Sequence, residues 1–226
     1  EEIKKKLEIM QGNKFKNIVF KRPSEIFENF NYSLFSYEIP ESLKKLNEEE
    51  FINPCFYNVI TSLVKFPNLL YRIFRTNFIN FNGYYEIALF INNKWTIVYI
   101  DDNLPYDNKN KKFFGAPFST NENIPNELWI LFLQKAISKI SGGYLNFMFL
   151  DADLIFNLLT GFNSVKFDLL NLDLFDYIMD CLKNNFCLCV KTAENLINSK
   201  GAKILEGRKI SDGGENSATP FYLNIY

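Results

Sequence analysis

Cys55 opens the segment Asn53-Pro54-Cys55-Phe56-Tyr57-Asn58-Val59-Ile60, and the 226-residue chain contains no histidine. Asn53 has a side-chain oxygen able to accept from the first N–H groups of a helix. Pro54 suits the first helical position, where a missing N–H costs nothing. Cys55 then falls in the first turn, where the macrodipole and unpaired N–H groups favour an anion. A thiol placed there ionises readily, and the thiolate is the nucleophile. Such a nucleophile needs a base to take its proton, and the usual one is missing from this composition. Two other readings compete. Cysteine is among the most buried residue types, so a core thiol fits. A redox-sensing thiol rests on the same helix-start argument.

The elements around Cys55 follow from pattern. Phe56, Val59, Ile60, Leu63 and Val64 have helical spacing, which predicts a helix to about Lys65 and a second piece over about Leu69–Phe74. Tyr85, Ile87, Leu89 and Ile91 alternate, as do Trp95 to Ile100, with Asn92-Asn93-Lys94 between them: a β-hairpin. Asn126 is expected to cap a helix through Ser141, with Trp129, Leu133, Ala136, Ile137 and Ile140 inward and Gly142-Gly143 as its stop. Further helices are expected at Asp151–Thr160, ended by Gly161, and at Leu172–Lys183, with Phe175, Ile178, Met179 and Leu182 inward. Phe186–Val190 and Phe221–Tyr226 read as strands. Residues 1–10, 40–52 and 198–218 read as linker, acidic loop and mobile loop. The layout is α+β, helix-rich first with strands returning at the end.

Composition excludes several classes. Lys and Arg total 25 against 26 Asp and Glu, so no net charge steers the chain to nucleic acid or an anionic membrane. No apolar run reaches the ~18 residues of a spanning helix. There is no signal peptide, although a chain that begins at Glu1 reads as a fragment. Cys55, Cys181, Cys187 and Cys189 show no disulfide spacing, so a reducing, cytoplasmic compartment is expected. Cys187 and Cys189 offer two ligands where zinc needs four, so they read as buried strand residues. No cofactor is expected. The frequent Asn residues fall in turns.

Five pieces of the chain, in order, resemble the protease core of the calpains. Val19-Phe20-Lys21-Arg22-Pro23-Ser24-Glu25-Ile26 is similar to that family's Trp-x-Arg-Pro-x-Glu-Ile entry segment. The Cys55 segment resembles its Gly-Asp-Cys-Trp helix. Trp95 to Pro105, with Val98, Asp101, Asp102 and Leu104, resembles Trp-x-x-Val-x-Val-Asp-Asp-x-Leu-Pro. Asn126-Glu127-Leu128-Trp129, Leu133, Lys135-Ala136 and Gly143-Tyr144 resemble Asn-Glu-x-Trp-x-x-Leu-x-x-Lys-Ala and Gly-x-Tyr. Leu159-Thr160-Gly161 resembles the tripeptide that opens the second subdomain. The resemblance covers about residues 19–190, and an androglobin-like calpain domain fits the same pieces.

The resemblance implies a papain-like fold. Residues 1–18 would be a linker or helix end, 19–160 a helical, Cys-bearing subdomain with the hairpin, and 161–226 the start of a β-rich second subdomain. It places Cys55 at the nucleophile position. Gly-Asp is replaced by Asn53-Pro54, and Trp by Phe56. The oxyanion-hole Gln falls on Glu49, whose carboxylate would repel a developing oxyanion. The catalytic His falls on Phe221 or Pro220, neither of which accepts a proton. The Asn partner would lie past Tyr226. A calcium-ligating Glu falls on Leu145, which cannot bind a hard cation, so calcium is not expected in this domain. Together these imply a catalytically inactive domain kept as a structural or interaction module, with protein partners, in a larger cytoskeletal or ciliary assembly. The alternative is an active endopeptidase whose His and Asn lie outside this sequence.

Overall fold

Asn92 and Asn93 both hold positive φ, 51° and 60°, the type I′ turn whose twist matches that of antiparallel strands. They join β3 (Tyr84–Ile91) to β4 (Lys94–Asp101). The computed structural model describes residues 17–27, 32–35, 53–63, 66–115, 126–168, 174–184, 188–192 and 221–225. Two compact units divide the chain, Glu1–Gly161 and Phe162–Tyr226.

In the first unit, β1 (Ile18–Lys21) leads through Arg22 into α1 (Pro23–Ile26), with Pro23 at the helix start as the sequence suggests. β2 (Tyr32–Ser33) follows, then α2 (Pro54–Leu63) and α3 (Pro67–Ile73). After the hairpin come β5 (Leu104–Asp107), β6 (Lys112–Phe113) and β7 (Asn126–Glu127). Then come α4 (Trp129–Ile140), α5 (Tyr144–Phe147) and α6 (Ala152–Thr160). β1, β5 and β6 form one antiparallel sheet, and β2 pairs with β7 in parallel.

The core lies where α2, α4 and α6 meet the hairpin. Phe56, Val59, Ile60 and Leu63 of α2 are fully buried. Phe56 meets Phe147 edge-on at 5.2 Å, and Phe132 of α4 lies 4.3 Å from Tyr85 of β3. Tyr85, Ile87 and Leu89 face inward, as alternation predicts. Gly161 ends α6 at φ 75°, the left-handed cap expected of it.

The second unit contains β8 (Val165–Asp168), α7 (Leu174–Lys183), β9 (Leu188–Thr192) and β10 (Phe221–Ile225). β10 lies between β8 and β9, antiparallel to both.

Several expectations need correction. Asn126 does not cap α4; it lies in β7, and Leu128 precedes the helix with no side-chain cap. The N–H groups of Leu128 and Trp129 donate instead to the carbonyls of Ser33 and Leu34. α4 is buried almost all round, while Ile140, expected inward, is exposed. Met179 is exposed and Cys181 is buried, so the inward face of α7 is turned from the one expected. Lys94 belongs to β4 rather than the turn. β9 extends to Thr192, two residues past the expected end, and includes Cys189, while Phe186 lies outside the described residues. Cys187, Glu49, Pro220, residues 1–10, 40–52 and 198–218 lie outside the described residues.

Candidate active site

Asn53 builds the start of α2. Its Oδ1 accepts from the N–H of Cys55 at 2.7 Å and of Phe56 at 3.1 Å. Its Nδ2 donates to the carbonyls of Phe147 at 2.6 Å and Leu150 at 3.0 Å. The residue is 1 % exposed. All the bonds expected of the amide are made, two as donor and two as acceptor. The cap read from sequence is therefore real, and it also ties the helix start to the end of α5.

Cys55 is half-buried at this start and, among the described residues, belongs to no disulfide. The helix-start position predicted for it holds. A nucleophile at a helix start can offer its own backbone N–H to the oxyanion formed when its side chain attacks a carbonyl. Here that N–H points to Asn53 Oδ1, as the cap implies once Pro54 leaves Cys55 the first free N–H of the helix.

The remaining predicted positions that the structure describes belong to other elements. Phe221 opens β10, opposite Thr192 of β9. Leu145 is half-buried in α5. Its side chain carries no oxygen, so this position does not fit a calcium ligand. No group of three His, Cys, Asp or Glu residues arranged to hold a metal occurs among the described residues.

The other matching motif residues prove to be struts. Arg22 grips Asp102 with Nε–Oδ1 at 2.8 Å and Nη2–Oδ2 at 3.0 Å, and Nη2 also reaches the Phe81 carbonyl. This bidentate fork ties the end of β1 to the β4–β5 turn. Lys135 of α4 donates to Asp101 at 2.6 Å and to the Asn103 carbonyl. Buried Trp129 donates its indole N–H to Glu127 at 3.1 Å. Arg-Pro, Asp-Asp, Asn-Glu-x-Trp and Lys-Ala thus account for the joints between β1, the hairpin, β7 and α4.

A model of the calpain family of cysteine proteases matches residues 3–209. The chain belongs to the calpain family. The match covers nearly all of the first unit and reaches residue 209 in the second, and the mixed helix and sheet architecture is that of an α+β calpain core. In this calpain domain the motif residues that join elements are present and engaged.

Proposed function

We propose that this calpain-family domain does not cleave peptides and serves as a structural or interaction module. The observation that carries the reading is the Cys55 N–H held by Asn53 in a chain with no histidine. Without the base, a coupled catalytic set loses on the order of 10⁶ in kcat. An oxyanion donor is worth about 10²–10³ more where the base is present. Glu49 at the Gln position and Phe221 at the His position act in the same direction, as does Leu145 at a calcium position. In this reading residues 19–160 are the Cys-bearing subdomain and 161–226 belong to a second one. An androglobin-like domain with protein partners in a cytoskeletal or ciliary assembly is the context that the resemblance favours.

The test is chemical. The protein is incubated, with and without calcium, with an unfolded protein substrate and separately with a thiol-directed peptide epoxide. No cleavage and no epoxide adduct on Cys55 are expected. Cleavage or labelling that Cys55→Ser abolishes overturns the proposal and restores the endopeptidase.

A further inference from the structure

Strand β4 has two unlike ends along its outer edge. Its inner edge pairs with β3 throughout. The far edge of β3 is covered at Glu86, where Arg75 and Thr76 donate to the Glu86 carbonyl and Thr76 Oγ1 accepts from the Glu86 N–H. On β4, strand alternation directs the backbone groups of Trp95, Ile97 and Tyr99 outward. Lys139 of α4 caps the Tyr99 carbonyl at 2.6 Å. Among the described residues, nothing caps the N–H and C=O groups of Trp95 and Ile97.

The solvent-facing side chains along this stretch are large and apolar. Trp95 is 52 % exposed, Ile97 42 %, Tyr99 49 %, and Tyr84 on β3 44 %. Tyr84 stacks on Tyr99 at 5.7 Å, and Phe90 meets Trp95 edge-on at 5.6 Å, so the rings are held in place by cross-strand neighbours. Native sheets blunt their edges with charge, proline or a covering element. Here Lys139 covers the Tyr99 end and the charge of Lys94 stands at the other, while the backbone groups of Trp95 and Ile97 between them stay open among the described residues.

We infer that the open edge of β4 at Trp95 and Ile97 is a docking site for one extended peptide strand of a partner, apolar in its middle and acidic at both ends. Size argues for a strand over a second folded copy. Four half-exposed side chains offer roughly 400 Å², about half of the ~800 Å² that each side of a standard interface contributes. Strand addition needs less side-chain area, because main-chain hydrogen bonds supply affinity. Charge sets the ends. Exposed Lys94 flanks the open stretch on one side and Lys139 on the other, and neither meets a carboxylate among the described residues. Asp101 is neutralised by Lys135, and Glu86, which accepts from the Tyr84 hydroxyl at 2.8 Å, lies on β3, one strand away. The inference does not depend on whether Cys55 reacts.

The probe is a capped peptide of alternating Val and Thr with Glu residues at both ends, titrated into the full chain. Trp129 is fully buried, so Trp95 is the tryptophan whose emission reports the edge. A saturable blue shift is expected, together with slowed amide exchange at Trp95 and Ile97. A peptide with Lys in place of Glu should bind at least roughly fivefold more weakly. Ile97→Pro removes an outward N–H, which an edge position tolerates, and should abolish binding. Ile97→Glu, whose carboxylate repels the acidic probe, gives the same readout if the proline variant misfolds, and Cys55→Ser should bind like the parent. No saturable shift, equal binding of the Lys-ended peptide, or peptide-free self-association that Ile97→Glu abolishes would each overturn the inference. The last outcome would assign the edge to a second copy.

Discussion

Asn53 shows how much of a fold one residue can hold in place. Two of its bonds order the helix start at Cys55, and two hold carbonyls at the end of α5. Asn53→Ala should lower stability by more than the ~0.5–2 kcal/mol of a lost cap, because two carbonyls also lose their donor. Asn53→Asp keeps the cap but sets a carboxylate against the Phe147 and Leu150 carbonyls, so it too should destabilise; urea unfolding of both variants checks this. Gly83 is the second such residue. It holds φ at +70°, and a Cβ there would run into the Arg22 guanidinium and the Asp102 carboxylate. Gly83→Ala should cost about 1–2 kcal/mol through its backbone alone, with more from displacing the Arg22–Asp102 fork. A thermal midpoint equal to the parent's would show that the fork yields freely.

At the scale of elements, α4 carries an internal conflict. Gln134 and Ser138 lie one turn apart on one face, 1 % and 2 % exposed, and neither side chain finds a hydrogen-bond partner among the described residues. An orphaned buried polar group costs about 1–3 kcal/mol. Gln134→Leu should therefore raise stability by roughly 1–2 kcal/mol, read as a shift in the urea midpoint. A loss of stability instead would place an ordered water between the two side chains. Elements whose signals are local were legible in the sequence. The hairpin announced itself by alternation and an Asn-Asn turn, and α2 by Asn53-Pro54. The start of α4 was not legible, because its N–H groups are satisfied by Ser33 and Leu34 from far upstream, and no spacing near Asn126 encodes that. Periodicity gave α7 its helical form but not its rotation, so Met179 was placed inward where Cys181 is. For the site, residue types located Cys55 and its cap, but the tie from Asn53 to the Phe147 and Leu150 carbonyls emerged only from the fold.

For the whole molecule, ionisation sets a pH window of stability. Burial works to raise the Asp101 carboxyl, but the Lys135 ammonium and the Asn103 N–H outweigh it and hold Asp101 below the ordinary range. Asp107 is held low in the same way, against burial, by the N–H groups of Asn110 and Lys109. A depressed folded value means stability that is fully present above the unfolded value of about 3.9 and is lost as pH falls through the lower folded values. Lys135→Met should flatten that acid arm. The alkaline arm has the opposite sign. Burial pushes the Tyr85 phenol up to about 12, with its oxygen accepting from the Asn80 N–H at 3.0 Å. Burial also raises Tyr144. A raised folded value contributes stability that is fully present below the unfolded value of about 10 and is lost as pH rises through the folded one. Urea midpoints measured from pH 8 upward should therefore fall once pH passes about 10. Tyr85→Phe should cost about 1 kcal/mol at neutral pH for the lost hydrogen bond, yet lose less than the parent between neutral and high pH. Parallel curves for parent and variant would mean that the Tyr85 hydroxyl does not govern the alkaline limit, leaving Tyr144, Tyr84 and Tyr32, whose phenols are also raised, to substitute next.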